Sequence, residues 1–534
     1  MKLLTAAGIH AWDNYTMKHE PVSEIDLMER AAGKAASFIL TRFSRTRPVY
    51  VFCGKGNNGA DGLVISRLLL GGGFQVVTWI VSYSPKASPL FTTSFSRLQE
   101  NQGTEIRYFT EQTDLPEIAA GALVIDAIFG TSVRFPLPPM VSRLISYFNQ
   151  LTTARSTGHS TSEIPTYAGN NNVETDSGRD NPPFIISIDM PSGLGADFGP
   201  PPADRPVQAD LTLSFQVLKP SFLLPDTGLF CGEVVLLDIN LSPTFPDTYE
   251  GNEYLTDLQT VKGIFRKRLT FSHKGTYGHA LLIAGSRGKS GAAVLSAKGC
   301  LHAGAGLVSV FIPAASLDIL QTSVPEAMAV LSPEAAWSVK FNENLDPYNA
   351  IGVGPGLGQH PETKMALLEL LKTYQKPIVI DADALNMLAA TPGWEELIPQ
   401  DSILTPHIGE FDRLTGKSAT SAERLSKQQH LAAVTKSVIV LKGAYTSVCL
   451  PTGRIWFNTT GNPGMATGGS GDTLTGILCA LLAQGYPAGD ASRLGVYIHG
   501  RAADLSVVDN GQTALSAGAI SNYLGKAFSE LENN

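Results

Sequence analysis

Between Asn462 and Gly476 a single carboxylate stands in a setting built for anions. The stretch reads Asn462-Pro463-Gly464-Met465-Ala466-Thr467-Gly468-Gly469-Ser470-Gly471-Asp472-Thr473-Leu474-Thr475-Gly476 and leads into the apolar run 477–482. Small residues let backbone N–H groups close on phosphate oxygens, and a helix start adds partial positive charge. Asp472 repels phosphate in that place. An acid that weakens anion binding fits a base that takes the proton from a hydroxyl attacking phosphorus. The alternative is a helix N-cap, and the loop alone leaves both open.

A second group of reactive types lies in the first half. Gly54-Lys55-Gly56-Asn57-Asn58-Gly59-Ala60-Asp61-Gly62 follows an apolar run. Its two amides and its carboxylate can bond a ribose or amide, or hold a cation through oxygen. Simple turn chemistry is the alternative. Asp126 and Asp189-Met190-Pro191-Ser192-Gly193 end two further apolar runs, the first leading to Gly130-Thr131-Ser132-Val133-Arg134-Phe135-Pro136. In the second half, Asp381, Asp383, His407, Glu410 and Lys442-Gly443-Ala444-Tyr445-Thr446 stand in the same relation to their own apolar runs.

The elements that must carry these groups are strands. Apolar runs at 48–53, 75–81, 122–130, 184–193, 210–215 and 233–238 read as buried parallel strands, with a helical stripe at 23–40 before the first and another at 63–70 after it. The pattern resumes at 279–286, 307–312, 350–358, 377–384, 402–411 and 438–446, with a small-residue helix over 293–303. Ligands in such sheets sit beyond the carboxyl ends of the strands, where these polar residues fall. Residues 151–182, rich in Ser, Thr, Asn and Gly, read as a surface insertion, with His159 exposed. The polar passage 242–257 reads as the boundary between domains 1–250 and 251–534.

Bulk properties narrow the partners. A chain of 534 residues exceeds one core, and a net charge of -8 disfavours nucleic acid and anionic membranes. No window has the ~18 apolar residues of a membrane span. The five cysteines lack CxxC spacing and read as reduced thiols of a cytoplasmic protein.

These motifs resemble the bifunctional NAD(P)H-hydrate repair enzymes. The front carries Leu27-Met28-Glu29-Arg30-Ala31-Ala32 together with the Gly56–Gly62 and Asp189–Gly193 motifs. The back carries Gly354-Pro355-Gly356-Leu357-Gly358, Thr405-Pro406-His407-Ile408-Gly409-Glu410, Leu441-Lys442-Gly443-Ala444 and the long Gly461–Asp472 motif. The resemblance implies an α/β chain, a Rossmann-like parallel-sheet domain followed by a ribokinase-like α/β domain. It implies that the front domain epimerises the R and S hydrates of NADH and NADPH (NADHX and NADPHX). Asn57, Asn58, Gly59, Ala60, Asp61, Gly130, Thr131, Ser132, Val133, Arg134, Phe135, Pro136 and Asp189 would hold the hydrate. Asn58, Asp126 and Ser192 would coordinate K+, and Asp189 would be the acid/base. The back domain would dehydrate the S epimer with ADP and Mg2+. Asp472 would be its base, with Ala292, Gly356 and His407 on the hydrate and Lys442, Gly443, Ala444, Tyr445, Thr446 and Gly471 on the nucleotide. A homo-oligomer is expected.

Three residues depart from the family pattern: Lys289 replaces an aromatic, Ser470 a threonine and Ala60 a glycine. Two other classes compete with the repair reading. A ribokinase-like small-molecule kinase fused to a nucleotide-binding domain shares the base and the anion loop. A nucleotide-sensing scaffold would bind without turnover.

Overall fold

The apolar runs form two parallel-stranded sheets in a computed structural model that describes residues 2–153, 182–199, 202–332 and 344–532. Lys2–Gly251 carries one compact unit, and Asn252–Ala419 with Glu423–Asn534 the other.

The front sheet comprises β1 (Val49–Cys53), β2 (Val76–Val81), β3 (Glu105–Phe109), β4 (Leu123–Ala127), β5 (Phe184–Ile188), β6 (Leu211–Phe215) and β7 (Glu233–Leu237). Their order is β3-β2-β1-β4-β5-β6-β7, and every pair is parallel. The central strands β1, β4 and β5 are covered on both faces. Val51, Leu123, Ile125 and Ile186 pack into one core with Leu63 and Val64, while Phe52, Val124 and Ile185 face Val141, Leu144 and Phe148. Double coverage is why the strands read as unbroken apolar runs. The chain winds outward from β1 to β3 and then returns to β4, so the sheet reverses direction between β1 and β4. A crevice opens beyond the carboxyl ends at such a switch point.

Two expectations change here. The helix Asn57–Gly71 begins inside the stretch read as a loop. Its first turn lies on the backbone of Gly54: a Cβ on Gly59 would sit 1.7 Å from the Gly54 carbonyl oxygen, so only glycine fits. Residues 151–153, read as part of the insertion, close the helix Pro139–Thr153. The rest of that reading, at 154–181 and including His159, lies outside the described residues.

The back sheet comprises β8 (Glu253–Thr256), β9 (His279–Ile283), β10 (Leu307–Pro313), β11 (Met328–Ser332), β12 (Ala350–Val353), β13 (Ile378–Ile380), β14 (Ile403–Leu404), β15 (Val438–Leu441), β16 (Ser447–Cys449) and β17 (Ile455–Asn458). The order is β11-β10-β9-β12-β13-β14-β15-β16-β17-β8, with its switch point between β9 and β12. Only the β15-β16 and β16-β17 pairs are antiparallel. β8 falls in the passage read as a linker. It is a four-residue edge strand whose register with β17, not its own composition, makes it a strand.

The helices Ser290–His302 and Ser470–Ala483 cross closely over this sheet. A Cβ on Gly476 would lie 1.9 Å from the Ser296 carbonyl oxygen, and Ala293, Ala297 and Cys300 are buried beside it. Small side chains thus let two backbones meet, which holds the start of the second helix in a fixed position above the strand ends. Ser296 Oγ donates to the Asp472 carbonyl at 2.9 Å.

Candidate active sites

In the front unit, the amide of Asn58 sits at the first turn of its helix and donates from Nδ2 to the Ile188 carbonyl at 2.8 Å. Its Oδ1 is buried and has no hydrogen-bond partner. An orphaned buried acceptor is costly unless something fills it. Close by in the fold, Asp126 is fully buried at the end of β4 and accepts from Ser187 Oγ and Ser192 N, both at 2.8 Å, and from Ser192 Oγ at 2.5 Å. Phe129 N donates to Ser192 Oγ at 2.9 Å, and Gly130 packs against Asn58. An amide oxygen, a carboxylate and a hydroxyl form the all-oxygen donor set that a hard cation takes, so the residues fit the expected K+.

Asp189 follows β5 with φ 65°, a left-handed backbone that a non-glycine residue holds at a cost of ~1–3 kcal/mol. That turn aims its carboxylate back at β6. Oδ1 accepts from Lys219 Nζ at 2.5 Å and from Phe215 N at 3.1 Å. Lys219 is fully buried and also donates to Ser214 Oγ and the Phe215 carbonyl. A buried ammonium with three acceptors is fully paired.

Two further acids share that field. Burial, then the charge of Asp189, pushes the Asp13 carboxyl up to about 7 against the opposing pull of Lys219. Burial, then Asp189 and Asp13, holds the Asp61 carboxyl well above the usual range. Asp13 arrives on the helix Ala6–His19, whose His10 Nε2 lies 3.0 Å from Ser132 Oγ. Thr131, Val133, Phe135 and Pro136 line a cavity of about 650 Å³ with residues 194–197. Asn57 is exposed, and Asn58, Gly59 and Ala60 are buried.

In the back unit, Gly469 is the N-cap of Ser470–Ala483, with φ 91° and no side-chain cap. Asp472 is therefore not the cap; it lies within the first turn. Beside it, Lys442 Nζ lies 2.7 Å from Asp381 Oδ1 and 4.0 Å from Glu410 Oε2. Thr475 Oγ1 donates to Asp381 Oδ2 at 2.8 Å. A Cβ on Gly471 would come within 3.3 Å of Lys442 Nζ. Burial first, then the charge of Asp381, raises the Asp472 carboxyl to about 6, while Lys442 opposes them. A base poised near neutrality accepts a proton efficiently and still ionises in the cell's pH range.

Asp472, Ala292 and Gly356 line one cavity of about 440 Å³, together with Lys289, Asp383 and Glu410. It opens at the switch point between β9 and β12. His407 is not in that lining. It is more than half exposed and caps the helix Ile408–Thr415, where its Nδ1 accepts from Gly409 N and Glu410 N. Gly443 and Ala444 are exposed in the turn after β15, which Gly443 N closes by donating to Thr446 Oγ1 at 3.3 Å.

Comparison with known proteins matches this two-site layout. Residues 280–526 match the NAD(P)H-hydrate dehydratase family model, and residues 24–221 match the model for the YjeF-related protein N-terminus. The bifunctional NAD(P)H-hydrate repair enzyme Nnr of Moorella thermoacetica is 32% identical, covering 100% of this chain and 97% of the relative. The chain belongs to the bifunctional NAD(P)H-hydrate repair enzymes. The Escherichia coli member is also 32% identical, covering 90% of this chain and 85% of its own. A Bacillus subtilis structure described as an ADP/ATP-dependent NAD(P)H-hydrate dehydratase, co-crystallised with ATP and Mg2+, is 33% identical. It covers 52% of this chain and 98% of its own, with a TM-score of 0.46.

In this repair enzyme the sequence reading missed Asp13, Lys219 and His10. Lys219 left a signal, since it is a lone cation within the apolar stretch 217–224. Asp13 left none, because nothing in its helix marks the face that turns toward Asp189.

Proposed function

We propose that this chain repairs hydrated NADH and NADPH, interconverting the R and S hydrates in the front unit and dehydrating the S hydrate in the back unit with ADP. The single observation that carries this reading is Asp472. It is a carboxyl raised to about 6, at an uncapped helix start, beside an Asp381–Lys442 pair.

In the back unit, Asp472 takes the proton of the C6 hydroxyl as that oxygen attacks the terminal phosphorus of ADP, and AMP leaves. The hydroxyl becomes a phosphate, a far better leaving group. The lone pair of the ring nitrogen expels it, and loss of a proton from C5 of the resulting iminium restores the reduced nicotinamide. Lys442, residues 443–446 and Gly471 hold the nucleotide, and Ala292, Gly356 and His407 the hydrate. Mg2+ carried by the nucleotide would offset phosphate charge.

In the front unit, residues 57–61, 130–136 and Asp189 hold the hydrate, and Asp189 moves the proton as the C6 hydroxyl departs and returns on the other face. Asn58, Asp126 and Ser192 would hold K+, supplying a fixed positive charge at that rim. Five free, buried cysteines support a reducing, cytoplasmic setting, and no helix among the described residues is long and apolar enough to cross a membrane. A homo-oligomer remains part of the proposal.

The test gives the purified chain mixed R and S NADPH hydrates with ADP and Mg2+, with ATP, or with neither. Complete recovery of nicotinamide absorbance with ADP, and AMP and phosphate as by-products, is expected. A stable phosphorylated product would instead establish a small-molecule kinase.

A further inference from the structure

The cavity in front of Asp472 is badly matched to a polyanion. Its wall holds three carboxylates, Asp383, Glu410 and Asp472, against one cation among the described residues, Lys289. A hydrated dinucleotide carries a doubly charged pyrophosphate, and like charges at this range repel. Lys289 is placed to offset that repulsion. Its side chain is 54% exposed, and its Nζ lies 3.2 Å from Asp383 Oδ2.

Asp383 does not depend on that ammonium. Its Oδ2 also accepts from Gly358 N at 2.8 Å, and its Oδ1 from Gln359 Nε2 at 3.1 Å. Burial works to raise its carboxyl, but the hydrogen bonds from Gln359, Gly358 and Lys289 overcome it and hold it below the usual range. The lysine head can therefore leave without stranding an unpaired carboxylate.

The backbone of Lys289 cannot leave. Gly356 is packed so close that an added Cβ would lie 3.0 Å from the Lys289 carbonyl oxygen and 2.8 Å from Ala292 Cβ. Lys289 immediately precedes the helix Ser290–His302 and makes no side-chain cap bond to it. The result is a fixed base with a free ammonium on a four-carbon stem, a point charge that reaches a phosphate oxygen without fixed geometry.

We propose that Lys289 is a substrate-binding residue of the dehydratase site, the counter-charge for the pyrophosphate of the hydrated dinucleotide. This rests on the dehydratase reading of the back unit. Lys289 acts on binding, alike in ground and transition state, so its removal moves KM and spares kcat.

The experiment uses the full chain with the S hydrates of NADH and NADPH, in Lys289→Met and Lys289→Arg. Lys289→Met should raise KM for both hydrates by the same factor, about two- to fivefold, the scale of one partly solvated charge contact. KM for ADP and kcat should hold, the effect should shrink with added salt, and Lys289→Arg should recover most of the loss. An unchanged KM for the hydrates overturns the proposal. So does a rise for the NADPH hydrate alone, which assigns Lys289 to the 2′-phosphate, or a rise in KM for ADP, which assigns it to the nucleotide. If the wild-type chain fails to turn over the S hydrate with ADP, the dehydratase reading falls instead, and the two failures are distinct.

Discussion

The two units solve one electrostatic problem in the same way and arrive at different protonation. Each places an acid after a parallel strand and ties it to a lysine: Asp189 to Lys219 at 2.5 Å in the front, Asp381 to Lys442 at 2.7 Å in the back. Each needs a left-handed non-glycine residue there, Asp189 itself or Ala382 beside Asp381. Each then leaves other acids in the same field without a lysine of their own. In the back that acid is Asp472, raised to about 6 and hence mostly ionised at neutral pH. In the front they are Asp13, raised to about 7, and Asp61, raised well beyond the usual range. One site therefore presents a base, and the other presents carboxyls that still hold protons. Degree of burial makes the difference; the residue type and the number of neighbouring acids do not.

The hardest test of that contrast is Asp472→Asn. We expect dehydration to fall by ~10²–10⁴-fold with R/S interconversion untouched, measured as nicotinamide absorbance with ADP. The same variant should melt higher at pH 8. A carboxyl raised from 3.8 to about 6 binds its proton more tightly when folded, so its stabilising contribution is complete below about 4 and is lost as pH rises through about 6. Relief of that cost is at most about 3 kcal/mol. Equal melting temperatures at pH 8 would break the account of Asp472 as a strained base.

Lys219→Met comes next. It strands Asp189 without its buried partner, which should cost ~3–5 kcal/mol in the front unit and stop epimerisation. Urea unfolding followed with a front-unit probe checks the first part, and survival of ADP-dependent dehydration checks that the back unit is spared.

Asp13→Asn should have a smaller effect, on the order of tenfold at pH 7. Wild-type epimerisation should decline above about pH 7 as Asp13 loses its proton, whereas dehydration kcat/KM should rise through about pH 6 as Asp472 loses its own. The variant should lack the decline. A profile that superposes on wild type would show that Asp13 has no part in the proton transfer, leave it to Asp189 alone and sharpen the comparison.

The smallest effect is expected for Asn58→Ala. Exchanging K+ for a bulky organic cation should slow wild-type epimerisation a few-fold, and the variant should be slow and indifferent to the cation, since the orphaned Oδ1 is gone.

Much of this was legible beforehand. Asn58, Asp189, Ser192 and Lys442 follow apolar runs and Asp126 lies near the end of one, so chain order alone puts them at a sheet's carboxyl rim, while Asp472 was marked by the glycine-rich loop that leads into a helix. β3, β8, β11, β16 and β17 were not legible. They are short or half exposed, and pairing defines them more than composition does. Asp13 was invisible as a site residue for a related reason, and Lys219 showed only as a lone charge in an apolar stretch, with nothing to say what it pairs. The first sits in an N-terminal helix and the second beyond β6, and they meet Asp189 only once the strands are laid side by side.

The sequence by itself determined the two α/β units, the glycine-rich approaches to their strand ends and the family. Those follow from local periodicity, backbone sterics and the length of the motifs. Only the tertiary structure decided which acids keep a proton. Desolvation and Coulomb interaction depend on distance through space, and Asp381 lies in the field of Asp472 because Gly476 lets the helix Ser470–Ala483 close against Ser290–His302 over the sheet.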